Sequence, residues 1–385
     1  MPPRRFLVFA TSLIALLHLY IGARLLPDMP LDKGWQIAGA LWLLASTILV
    51  PLGLLARGIK NPALADRLAW AGLMAMGFFS SLLIFTLLRD AALLLAWAGV
   101  QAGITLAQAH LAGIISDSTL MVTLLAMLVT VAGFLNARRT ARIVEVDVPI
   151  ANLPTALHGF TIAQISDVHV GPTIKRAYLE RIVQRVNSLD ADMIAVTGDL
   201  VDGSVASLAA HTAPMATLRS RHGSFFVTGN HEYYSNAHEW IDELRRLGLC
   251  VLLNEHAVLT HGGAQLVVAG VTDYSGGSFD PTHRSDPQAA IAGAPHDASK
   301  ILLAHQPRSA EAAAQAGFDL QLSGHTHGGQ FWPWNLFVPL QQPYTAGLHR
   351  LRNLWIYVSR GTGYWGPPKR FGAPSEITRL RLVPA

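Results

Sequence analysis

The sequence LSGHTHGGQ, residues 322–330, places His325 and His327 one residue apart and surrounds them with glycines. The apolar run that leads into it, residues 318–322, is typical of a β-strand. Glycine allows the backbone to turn sharply, and neutral imidazole is a common ligand of transition metals. Taken alone, the pattern fits a polar turn with two solvated histidines better than it fits a metal site, and only the other segments of the chain favour the metal site.

Segments upstream of residue 318 repeat one theme, in which a short apolar run ends in Asp, Asn or His, often beside glycine. The runs have the length and composition of strands, and residues 176–189 carry the apolar stripe of a helix. Ligands of α/β folds bind at strand ends, so we expect these polar residues to converge. They are Asp167, His169, Asp199, Asn230, His305, His325 and His327.

Seven oxygen and nitrogen donors are more than one ion needs. The mixture favours Mn, Fe, Zn or Co over calcium, which prefers oxygen, and over structural zinc, which usually takes thiolates. Two ions that share a carboxylate would use the whole set, and paired metal ions suit in-line displacement at phosphorus. The sequence therefore predicts two divalent metal ions of open identity and a phosphoryl-transfer reaction.

The motifs, taken in order, resemble those of the calcineurin-like metallophosphoesterases. The resemblance covers residues 143–385 and is strongest to the membrane-linked bacterial branch, in which the sequence found at residues 324–330 is frequent. It implies an α/β domain built as a four-layer sandwich, with two mixed β-sheets face to face and helices outside. The motifs are Asp167-x-His169, Gly198-Asp199, Gly229-Asn230-His231, His305 and Gly324-His325-x-His327.

The resemblance also implies a role for each motif position. A metal-bridged hydroxide would attack phosphorus, and His231 would protonate the leaving oxygen or contact the phosphate without being a ligand. The residue itself agrees with this role, because it directly follows a ligand position and its imidazole suits acid catalysis. The resemblance gives Asp167, His169 and His327 to the first metal ion, Asn230, His305 and His325 to the second, and Asp199 to both.

The substrate is less well indicated, and its binding residues stay open. The aromatic segment 331–337, with Tyr364 and Trp365, fits either a cluster that covers the sandwich edge or an apolar lip that holds an acyl chain or meets a membrane. Such a lip would suit an amphiphilic phosphoester or pyrophosphate, such as a lipid-linked nucleotide sugar. Four cations fit either further phosphate contacts or ordinary surface charges: Lys175, Arg308, Arg360 and Arg370.

Two other functions compete with a lipid-directed phosphohydrolase. A nuclease or cyclic-nucleotide phosphodiesterase is the first, but a nuclease needs a continuous basic groove with stacking aromatic residues. The basic residues after position 143 are interleaved with acidic ones, so no nucleic-acid partner is expected. The second is a metal-binding membrane scaffold without turnover, which the intact set of motifs disfavours. The expected partners are a phosphorylated, amphiphilic substrate and membrane lipid.

The first 137 residues hold most of the apolar excess of the chain. The mean hydropathy of +0.33 and the 14% of charged residues are unusual for a soluble enzyme. Four stretches of membrane-spanning length predict spans at residues 6–26, 35–56, 68–88 and 119–135. We expect a transmembrane region over residues 1–140 and a metallophosphoesterase domain over residues 141–385. Residues 91–116 leave a fifth crossing open.

Basic residues are distributed unevenly among the predicted membrane loops. With four spans and the N-terminus inside, eight lie on the inner side and three on the outer, and the side richer in Lys and Arg is usually cytoplasmic. We therefore expect an integral protein of the bacterial inner membrane with a cytoplasmic catalytic domain, which a fifth span would reverse. The inner residues are Arg4, Arg5, Arg57, Lys60, Arg67, Arg138, Arg139 and Arg142, and the outer ones are Arg24, Lys33 and Arg89.

Cys250 is the single cysteine, so the chain forms no intrachain disulfide. It lies within an apolar run, and we expect it to be a buried core residue and not a nucleophile. The net charge of +4 is a weak sign of nucleic-acid binding, because many of the basic residues lie in the predicted membrane loops.

Overall fold

The computed structural model of this protein describes residues 4–103 and 105–385. The chain divides into two compact units. The first contains residues 1–135 and 366–369, and the second contains residues 136–365 and 370–385.

Long helices form the first unit. Within the described residues, four helices are long and apolar enough to cross a membrane. Two of them begin at a side-chain cap, because Asp32 and Asn61 accept hydrogen bonds from the backbone N–H groups of Trp35 and Leu64. The helices are α1 (Arg4–Leu25), α2 (Lys33–Leu55), α3 (Pro62–Gln101) and α4 (Thr105–Arg138).

The predicted spans correspond to these helices, and α3 and α4 are longer than their spans. α3 continues past residue 88 because the following residues are mostly alanine and leucine, which favour helix. The open stretch 91–116 is divided between the end of α3 and the start of α4. Residue 104, within that stretch, lies outside the described residues.

The buried guanidinium of Arg89 in the first unit is matched with oxygen atoms that accept its hydrogen bonds. The guanidinium of Arg89, with a side chain only 2% exposed, donates to the Asp28 carboxylate at 2.7 Å. It also donates to the Ser118 hydroxyl at 2.9 Å and to the carbonyl oxygen of Arg24 at 3.0 Å. Because a buried charge is costly unless it is paired and hydrogen-bonded, this network fixes α3 against its neighbours.

The described part of the second unit contains two mixed β-sheets of six strands each. The first has the order β1-β12-β2-β3-β4-β5 and the second the order β10-β11-β9-β8-β7-β6. The strands of the first sheet are β1 (Arg142–Ile150), β2 (Thr161–Ile165), β3 (Met193–Val196), β4 (Ser224–Phe226), β5 (Cys250–Val251) and β12 (Glu376–Pro384). Those of the second are β6 (Glu255–His261), β7 (Ala264–Gly270), β8 (Ser299–Leu303), β9 (Leu320–Ser323), β10 (Gly347–Leu351) and β11 (Leu354–Val358).

Three apolar layers hold this unit together. Side chains such as Ile162 and Leu322 form the core between the sheets. Helices cover the outer face of the first sheet, where Trp240 is fully buried, and of the second, where Ala313 is. This arrangement confirms the predicted four-layer sandwich. The helices are α5 (Arg176–Asn187), α6 (Val205–Thr212), α7 (Asn230–Tyr234), α8 (Ala237–Arg246), α9 (Pro287–Ala290) and α10 (Ala310–Ala316).

The prediction of a buried Cys250 was wrong, because this residue is exposed. It begins β5, which is only two residues long, and Val251 takes the buried face of the strand. Successive side chains of a strand point to opposite faces, so an apolar neighbourhood in the sequence does not bury both residues.

Strand direction positions the predicted site. β2, β3 and β4 are parallel neighbours in the first sheet, and β7, β8 and β9 are parallel neighbours in the second. Parallel strands end at the same edge of a sheet, and ligand sites of α/β proteins lie there. The loops that follow β2, β3, β4, β8 and β9 carry the predicted ligands.

Candidate metal centre

The structure brings together all the predicted ligand positions at the carboxyl ends of these strands. The distances below join the predicted ligands into two groups, and His231 forms a further group of donor atoms with His169 and Asp199. Asp167 and His169 follow β2, Asp199 follows β3, Asn230 and His231 follow β4, His305 follows β8, and His325 and His327 follow β9.

The first group contains Asp167, His169 and His327, all of them buried. The Nε2 atoms of the two histidines are 3.0 Å apart, and Oδ1 of Asp167 is 3.5 Å from Nε2 of His327. Three donor atoms thus face one small volume, as a three-ligand metal site requires.

The second group contains Asp199, His305, His325 and Asn230. Nε2 of His305 is 3.2 Å from Oδ2 of Asp199 and 3.2 Å from Nδ1 of His325. The amide oxygen of Asn230 is 3.0 Å from Nδ1 of His325. Oδ2 of Asp199 is also 3.8 Å from Nε2 of His169, so this carboxylate lies between the two groups.

The backbone at the site is held in a conformation that residues other than glycine seldom adopt. Five of the predicted ligands have a positive φ, and each such residue costs about 1 kcal/mol or more. The surrounding strands hold these turns, which aim side chains of the same loop into the site. The residues are Asp167 (φ 54°), His169 (56°), Asp199 (51°), His325 (70°) and His327 (52°).

Two motif glycines are required by the closeness of the carboxylates. A Cβ atom on Gly229 would lie 2.2 Å from Oδ1 of Asp199. One on Gly324 would lie 2.2 Å from Oδ2 of Asp167 and 1.9 Å from the Ser166 hydroxyl oxygen. Real Cβ atoms do not approach other atoms this closely, so any side chain at either position would displace a carboxylate.

Outer hydrogen bonds orient two of the histidines for metal binding. The Nδ1–H of His305 donates to the carbonyl oxygen of Thr197 at 2.7 Å, and that of His169 donates to Oδ1 of Asp202 at 3.3 Å. Each imidazole therefore turns its Nε2 atom towards the other metal-ligating atoms of its group. Metal-ligating histidines are commonly held in this way, so the residues present fit divalent metal ions.

The protonation states of two other histidines agree with this fit. Burial, followed by the neighbouring His305, lowers the pKa of His325 to about 3. Burial and the guanidinium of Arg370 lower the pKa of His327 well below its usual value. Both rings are therefore neutral at pH 7, as an imidazole ligand must be.

His231 lies beside the two groups and carries a proton. Burial alone would lower its pKa, but the carboxylates of Asp199 and Asp202 raise the pKa to about 9. Nδ1 is 2.5 Å from Oδ1 of Asp202, and Nε2 is 4.0 Å from Oδ2 of Asp199. The ring is thus a protonated donor next to the predicted reaction centre.

Sequence reasoning missed two carboxylates that organise the site. Asp202 contacts both His169 and His231, and these rings lower its pKa although burial would raise it. Glu232 accepts hydrogen bonds from the backbone N–H groups of Gly229 (2.7 Å) and Asp199 (3.0 Å), and so joins two of the loops. Their closeness in sequence to Asp199 and His231 was the available signal, but the pattern does not show which way they point.

The four cations for which phosphate contacts and surface charge were both left open lie in different surroundings. Arg360 forms an ion pair with Glu376 at 2.9 Å. Arg370 is fully buried and donates to the carbonyl oxygen of His327 at 2.9 Å, so it positions that loop. Lys175 is half-buried, and Arg308 lies 5.1 Å over the ring of Tyr274.

Exposed aromatic residues occur beside His231 and in the segment that follows the His325–His327 motif, and we call them the aromatic rim. The rings of Tyr234 and Trp365 lie 5.2 and 5.6 Å from that of His231. Gln330, which precedes the aromatic segment, exchanges two 2.8 Å hydrogen bonds with the backbone of Trp365. The rim consists of Tyr234, Phe279, Trp332, Trp334, Phe337 and Trp365, each at least 39% exposed.

Comparisons with known proteins agree with the geometry. Residues 160–329 match the family described as calcineurin-like phosphoesterase. A transmembrane protein with metallophosphoesterase domain from Danio rerio is 37% identical over 275 residues, which cover 68% of this chain and 63% of that protein. Its namesake from Bos taurus is 40% identical over 276 residues, covering 68% and 62%.

A bacterial relative is matched over more of its length. An uncharacterized metallophosphoesterase from Campylobacter jejuni is 35% identical over 268 residues, covering 68% of this chain and 69% of that protein. The chain spans less than two thirds of the two vertebrate proteins. Its motifs, fold and relatives together show that the chain belongs to the calcineurin-like metallophosphoesterases.

Proposed function

We propose that the protein is a membrane-anchored, dinuclear-metal phosphohydrolase that cleaves a phosphoester or pyrophosphate bond of a substrate with an apolar part. The observation that carries the proposal is the pair of donor groups joined by Asp199, with protonated His231 beside them. Mixed carboxylate, amide and imidazole donors accept Mn, Fe, Zn or Co.

The predicted ligands would hold two metal ions in two sets. One ion would be held by Asp167, His169 and His327 and the other by Asn230, His305 and His325, with Asp199 shared between them. Bound divalent ions supply charge neutralisation at the phosphoryl oxygens and acidify water.

The proton of the leaving group comes from the chain itself. Asp202 holds Nδ1 of His231 at 2.5 Å, which leaves Nε2 free to donate to the leaving oxygen. Because the pKa of His231 is about 9, the ring is charged at neutral pH and also attracts the phosphate. A positioned general acid of this kind contributes roughly 10²- to 10⁴-fold to the rate.

The aromatic rim supports an amphiphilic substrate. Exposed Trp and Tyr side chains favour surroundings that are apolar at one end and wet at the other. Two members of the rim contact the proton donor itself, so an apolar group that packs on them would sit next to the phosphate. We therefore propose a phosphorylated lipid or lipid-linked nucleotide as substrate, and no nucleic-acid partner.

The proposed location is the bacterial inner membrane, with the catalytic unit on the cytoplasmic side. The four candidate spans support membrane insertion. The concentration of Lys and Arg in the loops that face inward under a four-span topology supports the orientation.

Hydrolysis by the purified full chain in detergent with Mn²⁺ tests the proposal. The substrates are p-nitrophenyl phosphate, bis-p-nitrophenyl phosphate, a nucleotide diphosphate-sugar and its acylated form, and the Asp199→Ala variant is the blank. We expect metal-dependent turnover with preference for the acylated compound. Turnover confined to soluble diesters would overturn the lipid-directed part, and no turnover above the blank would overturn the enzymatic part.

A rim variant makes the substrate test sharper. Trp334 is 41% exposed, and Val258 is 40% exposed and outside the rim. Trp334→Ala should raise KM for the acylated compound and leave the soluble diester unchanged, while Val258→Ala should alter neither. Equal effects of Trp334→Ala on both compounds would contradict a role in holding an apolar group.

A further inference from the structure

A second set of metal-ligand side chains lies outside the site described above. His238, Asp280 and His283 each offer one donor atom, and these atoms all lie within 4.8 Å of one another. Nε2 of His238 is 3.0 Å from Oδ2 of Asp280, and the centroids of the two histidine rings are 5.0 Å apart. His238 belongs to α8, Asp280 caps the turn Pro281–His283, and His283 is the last residue of that turn.

Partners outside the set hold two of the donors in place. Nδ1 of His283 is hydrogen-bonded to the Tyr233 hydroxyl at 2.8 Å, which leaves Nε2 as the available donor. Oδ1 of Asp280 accepts from the backbone N–H of Thr282 at 2.9 Å and from its hydroxyl at 2.7 Å, which leaves Oδ2. Outer hydrogen bonds of this kind orient metal ligands before the ion binds.

The three metal-ligating side chains differ in solvent exposure, as expected for a site that opens to solvent. His283 is buried, whereas the side chain of His238 is 64% exposed and that of Asp280 is 26% exposed. An ion placed among them is reached from the surface and keeps a coordination position for water. Two imidazoles and one carboxylate with an open fourth position are a ligand set that Zn²⁺ accepts.

We propose that His238, Asp280 and His283 bind a further divalent transition-metal ion of the zinc class, separate from the dinuclear centre. This ion joins the turn at residues 281–283 to α8. Through the Tyr233 hydroxyl, the turn also contacts α7, whose first two residues are Asn230 and His231. The ion therefore stiffens the segment that carries a ligand and the proton donor of the main site.

Zinc content of the full chain tests this inference without any need for turnover. Protein in detergent is stripped with chelator, reloaded with Zn²⁺, passed through a desalting column and analysed by mass spectrometry for zinc per chain. We expect His238→Ala and Asp280→Asn each to hold about one zinc ion less than the unchanged protein, since three ligands are the usual minimum in protein zinc sites.

The pair His296–Asp297 provides the matched control. Nδ1 of His296 is 3.0 Å from Oδ1 of Asp297, the same separation as in the His238–Asp280 pair. Within the described residues, no third such donor completes a group around it. His296→Ala should therefore hold as much zinc as the unchanged protein. Equal zinc content in the His238→Ala, Asp280→Asn and unchanged proteins would overturn the inference, as would an equal loss in His296→Ala.

Discussion

The helical unit and the sandwich both bury ionisable side chains, but they surround them in opposite ways. Arg89 in α3 is matched by the carboxylate of Asp28, the Ser118 hydroxyl and a carbonyl oxygen. At the strand ends of the sandwich, groups of the same kind face each other, as in the 3.0 Å contact between His169 and His327. Matched burial contributes to stability, whereas crowding of like groups on strained backbone marks a site that is kept for chemistry.

The largest test of this contrast is Asp199→Asn. We expect the neutral amide to lower metal-dependent hydrolysis by about 10⁴-fold, because the proposed shared ligand would lose the charge that attracts the ions. Steady-state kinetics and metal content measure the loss. Asp242→Asn, which neutralises an exposed carboxylate of α8, should change neither quantity. Retained activity in the Asp199 variant would mean that the crowded groups are not the reaction centre.

His231→Gln separates catalysis from metal binding within the crowded region. The variant should lose about 10³-fold in kcat, because it removes a positioned general acid, while its metal content stays unchanged. Turnover and metal analysis on the same sample make the comparison. A parallel loss of metal would assign His231 to the ligands, and unchanged kcat would remove it from the mechanism.

Arg89→Met tests whether the buried ion pair of the helical unit serves stability and not catalysis. It leaves Asp28 without its partner, and because the Asp28 side chain is 34% exposed, solvent screens the remaining charge and the loss of stability should be about 1 kcal/mol. The full chain in detergent should unfold at lower temperature, while the activity per folded molecule is unchanged. A loss of kcat with unaltered stability would show that the helical unit takes part in the chemistry.

The smallest expected effect concerns two neighbouring histidines, His222 and His261, that lie outside the candidate metal centre. Nε2 of His222 is 3.1 Å from Nδ1 of His261, and burial together with that ring lowers the pKa of His222 below 6.5. Below pH 6.5 the unfolded chain therefore binds more protons than the folded one at this residue, and stability falls as the pH falls.

His222→Gln should remove this acid sensitivity. Between about pH 7.5 and about pH 5.5 the variant should lose less thermal stability than the unchanged protein. The difference should be below about 1 kcal/mol, because solvent screens the partly exposed ring. The exposed residue His296 provides the control variant, His296→Gln. Equal acid sensitivity in all three proteins would show that the His222–His261 pair does not contribute to the pH dependence of stability.

The ligand positions could be predicted from the sequence because each is encoded locally. A strand of four or five mostly apolar residues that ends in Asp, Asn or His, often with glycine nearby, marks its own end, and parallel neighbours place those ends at one edge. Asp167, Asp199 and His305 were found in this way. The predicted ligand roles stay a prediction, whereas the sandwich itself is confirmed.

The remaining features depend on contacts that no local pattern encodes. Asp202 became part of the site through His169 and His231, which are 33 and 29 residues away in the chain. Arg370 is fully buried because carbonyl oxygens receive its guanidinium, against the usual exposure of arginine. Cys250 is exposed because a neighbour takes the inner face of a very short strand.

The division of the donors between the two sheets has a consequence for the lifetime of the protein. Asp167 and His169 come from the first sheet and His327 from the second, and the other group is likewise shared between Asp199 and the pair His305 and His325. With a single cysteine, the chain cannot form an intrachain disulfide between its layers. Ions bound at the proposed positions would join the layers, because the sheets could not separate without releasing them. Metal supply in the cell should then govern how long a molecule survives proteolysis, as well as how fast it works.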